Sequence, residues 1–88
     1  MLKITTVNEV PNEGLPALLG KNVALFCVNY IYAGTLIGVN STCVLLQNAR
    51  IVYETGNLTG GTYKDAQALP NNWYVQTTAI ESFGEMQG

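Results

Sequence analysis

The segment AGTLIGVNSTCVLLQNA (33–49) decides the fold, because it belongs to a stretch, 22–49, that contains no charged side chain. Such a stretch fits either a membrane helix or the inside of a small β structure. A bilayer-spanning helix needs about 17–25 apolar residues, and Asn29 would place an unpaired amide near the centre of the best window, at considerable cost. The stretch is rich in β-branched and aromatic side chains, which favour strands. We therefore predict strands here and no membrane segment.

Turn residues divide the chain into extended runs. Asn29 and the Asn-Ser-Thr triplet at 40–42 are typical of tight turns, and Thr77-Thr78 is predicted to split the last run into two short strands. Gly34 and Gly38 indicate a sharp bend or a close backbone approach. The predicted runs are 22–28, 30–39, 43–55 and 73–83, with a loop rich in Gly, Asn and Thr at 56–72.

A short helix is predicted ahead of these strands, at about 12–20. Asn12 can cap its start, Pro16 fits a first turn, and Gly20 can end it. The chain is then one domain, 1–88, of mostly β class. It begins with the short N-terminal helix and continues at about 21–83 as a strongly bent five-stranded SH3-like barrel. The middle strands are apolar on both faces, which such a barrel can bury if its outer face meets a neighbouring chain.

The composition predicts self-association. Charged residues make up only 11% of the chain and hydrophobic residues 48%. A soluble domain usually has about 25% charged residues, and extended apolar surface usually marks a contact with a partner. The net charge of −2, with four lysines and arginines in all, argues against a general nucleic-acid-binding protein.

Residues suited to catalysis or metal binding are scarce. The chain has no histidine, its carboxylates are scattered, and Cys27 and Cys43 match neither a disulfide framework nor zinc-ligand spacing. We expect both cysteines to act as small apolar side chains, and we predict no enzymatic activity, no metal and no cofactor. The N-terminal sequence lacks the apolar core of a signal peptide, which predicts a cytoplasmic protein, in the host cytoplasm if its source is viral.

The central segment resembles the Sm-like family, and within it most closely the bacterial Sm-like RNA chaperones of the host factor Q type. The order of elements over about 12–83 is similar, and the loop 56–72 stands where the family has its variable loop. The match to the family's first motif needs no gap and consists of Gly34, Leu36, Val39-Asn40 and Val44-Leu45-Leu46-Gln47-Asn48.

The resemblance implies a homo-oligomeric ring of about five to seven copies. In such a ring the fourth strand of one subunit pairs with the fifth strand of the next, so that no sheet edge remains exposed. We expect Val75, Ile80 and Phe83 at this interface. The implied function is that of a ring-forming, RNA-chaperone-like module that binds single-stranded RNA.

The resemblance also implies an RNA site around the pore, at Asn40, Thr42, Thr77 and Thr78. Single-stranded RNA is read by base stacking and by hydrogen bonds to base edges. Here the acidic turn position of the family is Asn40, the stacking position is Thr42, and the basic position is Thr77-Thr78. The edge-reading position is Val44. Asn40 also fits a purely structural role, as a turn residue whose amide bonds its own backbone.

Two residues of the long loop, Tyr63 and Lys64, are predicted to be exposed and are further candidates for RNA contact. Arg50, the only arginine, is predicted either to pair with Glu54 on its strand or to point to a face of the ring. Contacts from Tyr63 and Lys64 would extend the RNA site beyond the pore.

Two alternative functions stay open. One is a structural or scaffold ring in a larger assembly, including a viral one, without RNA binding; the acidic balance and the uncharged pocket suggest it. The other is a monomeric SH3-like barrel that binds peptides in a groove formed by exposed aromatic residues such as Tyr63 and Trp73.

Overall fold

The computed structural model describes residues 14–59 and 62–86, and strands dominate them. The mostly β prediction is confirmed, as is the division of the last run at Thr77-Thr78. No helix among the described residues is both long and apolar enough to cross a membrane. The elements are a 3-10 turn at Leu15–Leu18, β1 Asn22–Cys27, β2 Ile31–Val39, β3 Cys43–Glu54, β4 Asp65–Ala68, β5 Trp73–Gln76, a 3-10 turn at Thr77–Ala79 and β6 Ile80–Glu85.

The strands form one antiparallel sheet in the order β4-β3-β2-β1-β6, with β5 also paired to β3. β4 and β5 are successive halves of one edge, since β3 pairs with β4 through Arg50↔Ala68 and with β5 through Leu46↔Trp73. The interruption lies beside Asn48, whose φ of 54° is left-handed, a conformation that Asn tolerates better than most residues.

Three predictions about the elements need correction. The sheet has six strands rather than five, because this interruption divides the edge and places β4 inside the segment expected as loop 56–72. The sheet is open rather than a closed barrel, because among the described strands β6 pairs only with β1, and β4 and β5 pair only with β3.

The third correction concerns the helix expected at 12–20. Only the 3-10 turn at Leu15–Leu18 forms in the part that the structure describes; 12–13 lie outside the described residues. Gly14 and Gly20 bracket this turn with φ values of 68° and 84°. Left-handed residues end helices, so the chain between these two glycines is too short for an α-helix.

A close backbone approach bends β2 against β3. A Cβ atom on Gly34 would lie 2.9 Å from the carbonyl oxygen of Gln47 and 3.2 Å from the Cα atom of Ala49. The register between the two strands also shifts on either side of Thr35 and Leu36, as in β-bulges, which bend a sheet. The predicted close approach at Gly34 is therefore confirmed.

The core lies on one face of the bent sheet. Leu15, Leu18 and Ile80 are half-buried against it. The opposite face carries small buried side chains, including the cross-strand pair Ala24 and Ala33. No polar or charged side chain among the described residues is buried. The core residues are Val23, Leu25, Leu36, Val44, Leu46, Ala49 and Val75.

Candidate functional site

The sheet brings two turns together, the one that precedes β3 and the one that follows β5. The backbone N–H of Thr77 donates to the carbonyl oxygen of Thr42 over 2.9 Å. The Thr77 hydroxyl donates to the carbonyl oxygen of Ser41 over 3.1 Å. Both hydrogen bonds connect the first turn to Thr77. The next residue, Thr78, is exposed. We call 40–42 and 77–79 together the paired turns, and they contain all four residues predicted to surround the pore.

Asn40 organises the first of the paired turns. Its Oδ1 atom accepts hydrogen bonds from the N–H and the hydroxyl of Thr42, over 2.8 and 3.0 Å, and from the N–H of Cys43, over 2.9 Å. Its own N–H donates to the carbonyl oxygen of Cys43 over 3.0 Å. The turn role predicted for Asn40 is therefore confirmed. With three donors already on it, Oδ1 has little capacity left to read the edge of a base.

The paired turns are polar but uncharged. Among the described cations, the ammonium of Lys21 lies 3.7 Å from the carboxylate of Glu85. The ammonium of Lys64 lies 3.5 Å from the carboxylate of Glu54. Lys64 therefore takes the partner that one of the two interpretations gave to Arg50. Arg50 itself lines a cavity that also contains residues of β1 and β2.

Tyr63 and Lys64 do not form an exposed pair beside the paired turns. Lys64 is exposed and lies at the end of β3 opposite to the turn 40–42, where it pairs with Glu54. Tyr63 is half-buried and lines the same cavity as Arg50. Burial raises the pKa of the Tyr63 phenol, and the positive charge of Arg50 lowers it in part. Tyr63 therefore belongs to a different surface from the paired turns.

The predicted interface residues occupy three different environments. Val75 is a core residue with 5% of its surface exposed, whereas 42% of the surface of Phe83 is exposed. Ile80 is half-buried against the core. Tyr74 is 67% exposed on β5. Strand alternation predicts this exposure, because a core position at Val75 places Tyr74 on the other face.

Cys27 behaves as a small apolar residue, as predicted. It is half-buried against the core, and its thiol donates a weak hydrogen bond to the carbonyl oxygen of Leu25 over 3.7 Å. Burial, and to a lesser degree the negative charge of Glu81, raise the pKa of the Cys27 thiol. A thiol with a raised pKa is a poor nucleophile at neutral pH.

Comparison of the sequence with known protein families gives no match, and comparison with curated proteins gives none either.

Proposed function

We propose that this chain assembles through its sheet edges into a homo-oligomeric ring of the Sm-like type. The observation that carries the proposal is the strand order, which leaves β5 and β6 as the edge strands at opposite ends of one sheet. A unit with two different free edges can pair head to tail, and repetition of this contact gives a ring when the rotation between neighbouring units closes. The expected ring has about five to seven copies.

The backbone groups on both edges are oriented for such pairing. The N–H of Thr77 points to Thr42, and the N–H of Met86 points to the carbonyl oxygen of Asn22. Backbone N–H groups alternate in direction along a strand, so those of Tyr74 and Phe83 point away from the sheet. Tyr74 is 67% exposed, Phe83 42% and Trp73 36%. Unpaired N–H groups beside exposed aromatic side chains favour strand addition.

The charges favour a scaffold role for this ring, within a larger assembly that includes a viral one. Phosphate contacts by Lys and Arg supply most of the affinity of non-specific RNA binding. Lys21 and Lys64 lie beside carboxylates, and Arg50 lines a separate cavity. The paired turns therefore have no cation from the described residues with which to hold a phosphate.

Single-stranded RNA is the second candidate partner, and one observation favours it. Hydrogen bonds from Thr77 hold the two turns together, so a ring would repeat the same cluster of hydroxyl and backbone groups around its axis. RNA can be read by such groups when bases also stack. Binding here would be weak and of the RNA-chaperone type, with Thr42 and Thr78 at its centre and Asn40 holding the turn.

An edge variant tests the assembly. Phe83→Pro removes an outward-pointing N–H and leaves the pairing of β6 with β1, whereas Phe83→Leu keeps the N–H and an apolar side chain. We expect the proline variant to lose the oligomer in light scattering while its circular dichroism stays that of a β protein, and the leucine variant to retain the oligomer. Equal masses for the two variants would contradict pairing through the edge of β6.

Fluorescence anisotropy of labelled oligo-U and oligo-A at low salt separates the two roles. The scaffold role predicts no saturable binding to the intact oligomer. Saturable binding that Thr42→Val and Thr78→Val abolish would instead establish the RNA role at the paired turns.

A further inference from the structure

A cavity of about 300 Å³ lies away from the paired turns, and its lining includes Met86, which follows the edge strand β6. Ala33 and Gly34 of β2 form part of its wall, and Tyr63 of the β3–β4 hairpin faces them. Arg50 and Asn48 of β3 complete the polar part of the lining. The cavity therefore brings the only arginine of the chain together with a tyrosine, an amide and a wall of small side chains.

Among the described residues, the lining carries one positive charge and no negative charge. Its residues include no Asp or Glu, and no described carboxylate lies within ion-pair distance of the Arg50 guanidinium, whereas Lys21 and Lys64 each have such a partner. The Tyr63 phenol is neutral at pH 7, since an ordinary tyrosine has a pKa of about 10 and burial raises the pKa of Tyr63 further. An uncharged phenol donates a hydrogen bond to an anion, and a guanidinium donates two in parallel.

The cavity lies where β2 and β3 approach each other closely. Gly34 lines it, and a Cβ atom there would lie 2.9 Å from the carbonyl oxygen of Gln47 in β3. Asn48 adopts the left-handed conformation at the interruption of the edge, and it lines this cavity as well as a second opening beside Pro70. The cavity therefore lies beside the bend of the sheet.

We propose that this cavity binds a small oxyanion, a carboxylate or a phosphate, whose head group pairs with Arg50 and accepts a hydrogen bond from Tyr63. The cavity accommodates a body of several heavy atoms behind the head group. All of the groups involved belong to one chain, so the site exists in a monomer as well as in a ring. Its test therefore stands apart from the test of assembly.

The single arginine gives a direct probe. In ¹⁵N NMR the chain has one arginine side-chain Nε–H signal, which can be followed while inorganic phosphate or acetate is added at constant ionic strength with chloride. We expect a saturable shift of this signal with at least one of the two probes, and the stronger probe identifies the head group. Linear, unsaturated shifts with both probes across the millimolar range would overturn the proposal.

Three variants distinguish binding in the cavity from a general attraction of anions to the protein. Tyr63→Phe removes only the phenolic hydroxyl and should weaken binding by about two- to tenfold. Arg50→Gln, followed through the backbone amides of Ala33 and Gly34, should weaken it about tenfold or more. Lys64→Gln removes a neighbouring exposed cation outside the cavity and should leave binding unchanged. Loss of binding in Lys64→Gln equal to that in Arg50→Gln would also overturn the proposal.

Discussion

Gly34→Ala tests the bend that shapes the sheet. The added methyl group would lie 2.9 Å from the carbonyl oxygen of Gln47, and the next neighbour is also a backbone atom, the Cα of Ala49 at 3.2 Å. Backbone atoms cannot rotate away as a side chain can, so β2 and β3 must move apart by several tenths of an ångström. Overpacking of this kind costs about 1–3 kcal/mol, a sizeable part of the about 5–15 kcal/mol that stabilises a domain.

Gly38→Ala is the matched control in the same strand. The nearest neighbour of its Cβ atom would be the Cβ atom of Leu45 at 3.4 Å, an ordinary contact. Neither Gly34 nor Gly38 has a positive φ, so both substitutions restrict the unfolded chain in the same way, by about 0.4–1 kcal/mol in favour of folding. The difference between the two variants therefore isolates the steric cost, which we expect to be about 1–3 kcal/mol.

The assay is urea unfolding followed by the fluorescence of Trp73, the only tryptophan, at one protein concentration because assembly would make stability concentration-dependent. Gly34→Ala should unfold at a clearly lower urea concentration than the wild type, whereas Gly38→Ala should stay close to it or rise slightly. Equal midpoints for the two variants would show that β2 and β3 do not approach each other closely at Gly34.

Three further predictions concern the turn at Asn40, the titratable protons of Cys27 and Tyr32, and the ion pair of Lys64. Asn40→Ala removes an acceptor of three hydrogen bonds and should lower the free energy of unfolding by about 1 kcal/mol, whereas Asn40→Asp keeps the acceptor and should stay near the wild type in urea; equal losses would refute the turn role. Burial raises the pKa values of Cys27 and Tyr32 above their ordinary values, so the folded state holds these protons to a higher pH than the unfolded chain. The free energy of unfolding should stay constant below about pH 8.5 and should fall as the pH rises through the folded-state pKa values. Thermal unfolding between neutral and alkaline pH measures this, and a melting temperature that rises with pH would be inconsistent with it. Lys64→Ala removes an exposed ion pair with Glu54 and should change stability by less than about 0.5 kcal/mol in the same urea titration; a larger loss would mean that the pair is better ordered than its exposure indicates.

Local signals in the sequence were sufficient for β1, β2 and β3 and for the turn at Asn40. These strands are mostly apolar and contain β-branched and aromatic residues, and the Asn-Ser-Thr triplet carries its own hydrogen-bond acceptor. The close approach at Gly34 could be predicted as well, because a glycine inside an apolar strand often marks a bulge, a tight bend or a close approach of another backbone.

Tertiary context determined the elements that local sequence patterns did not predict. β4 has the sequence DAQA, without a β-branched or aromatic residue, and it is a strand because its backbone pairs with β3. The prediction of an N-terminal helix was wrong because a possible cap and a closing glycine do not reveal that Gly14, like Gly20, is left-handed. Strand propensity depends strongly on such context.

The candidate site was predictable in its turns and not in its loop. Asn40 and Thr42 are two residues apart in one turn, and the division at Thr77-Thr78 placed the second turn correctly. The position of Tyr63 beside Arg50 depends on how the hairpin loop lies against the sheet, which no local pattern encodes.

The mass of the wild-type protein in solution tests most directly whether the chain assembles through the edges of β5 and β6. Light scattering across a size-exclusion peak gives this mass without reference to shape. Pairing through these edges predicts one discrete multiple of the 9.5 kDa chain, at about five to seven copies. A single peak at the mass of one chain would contradict it.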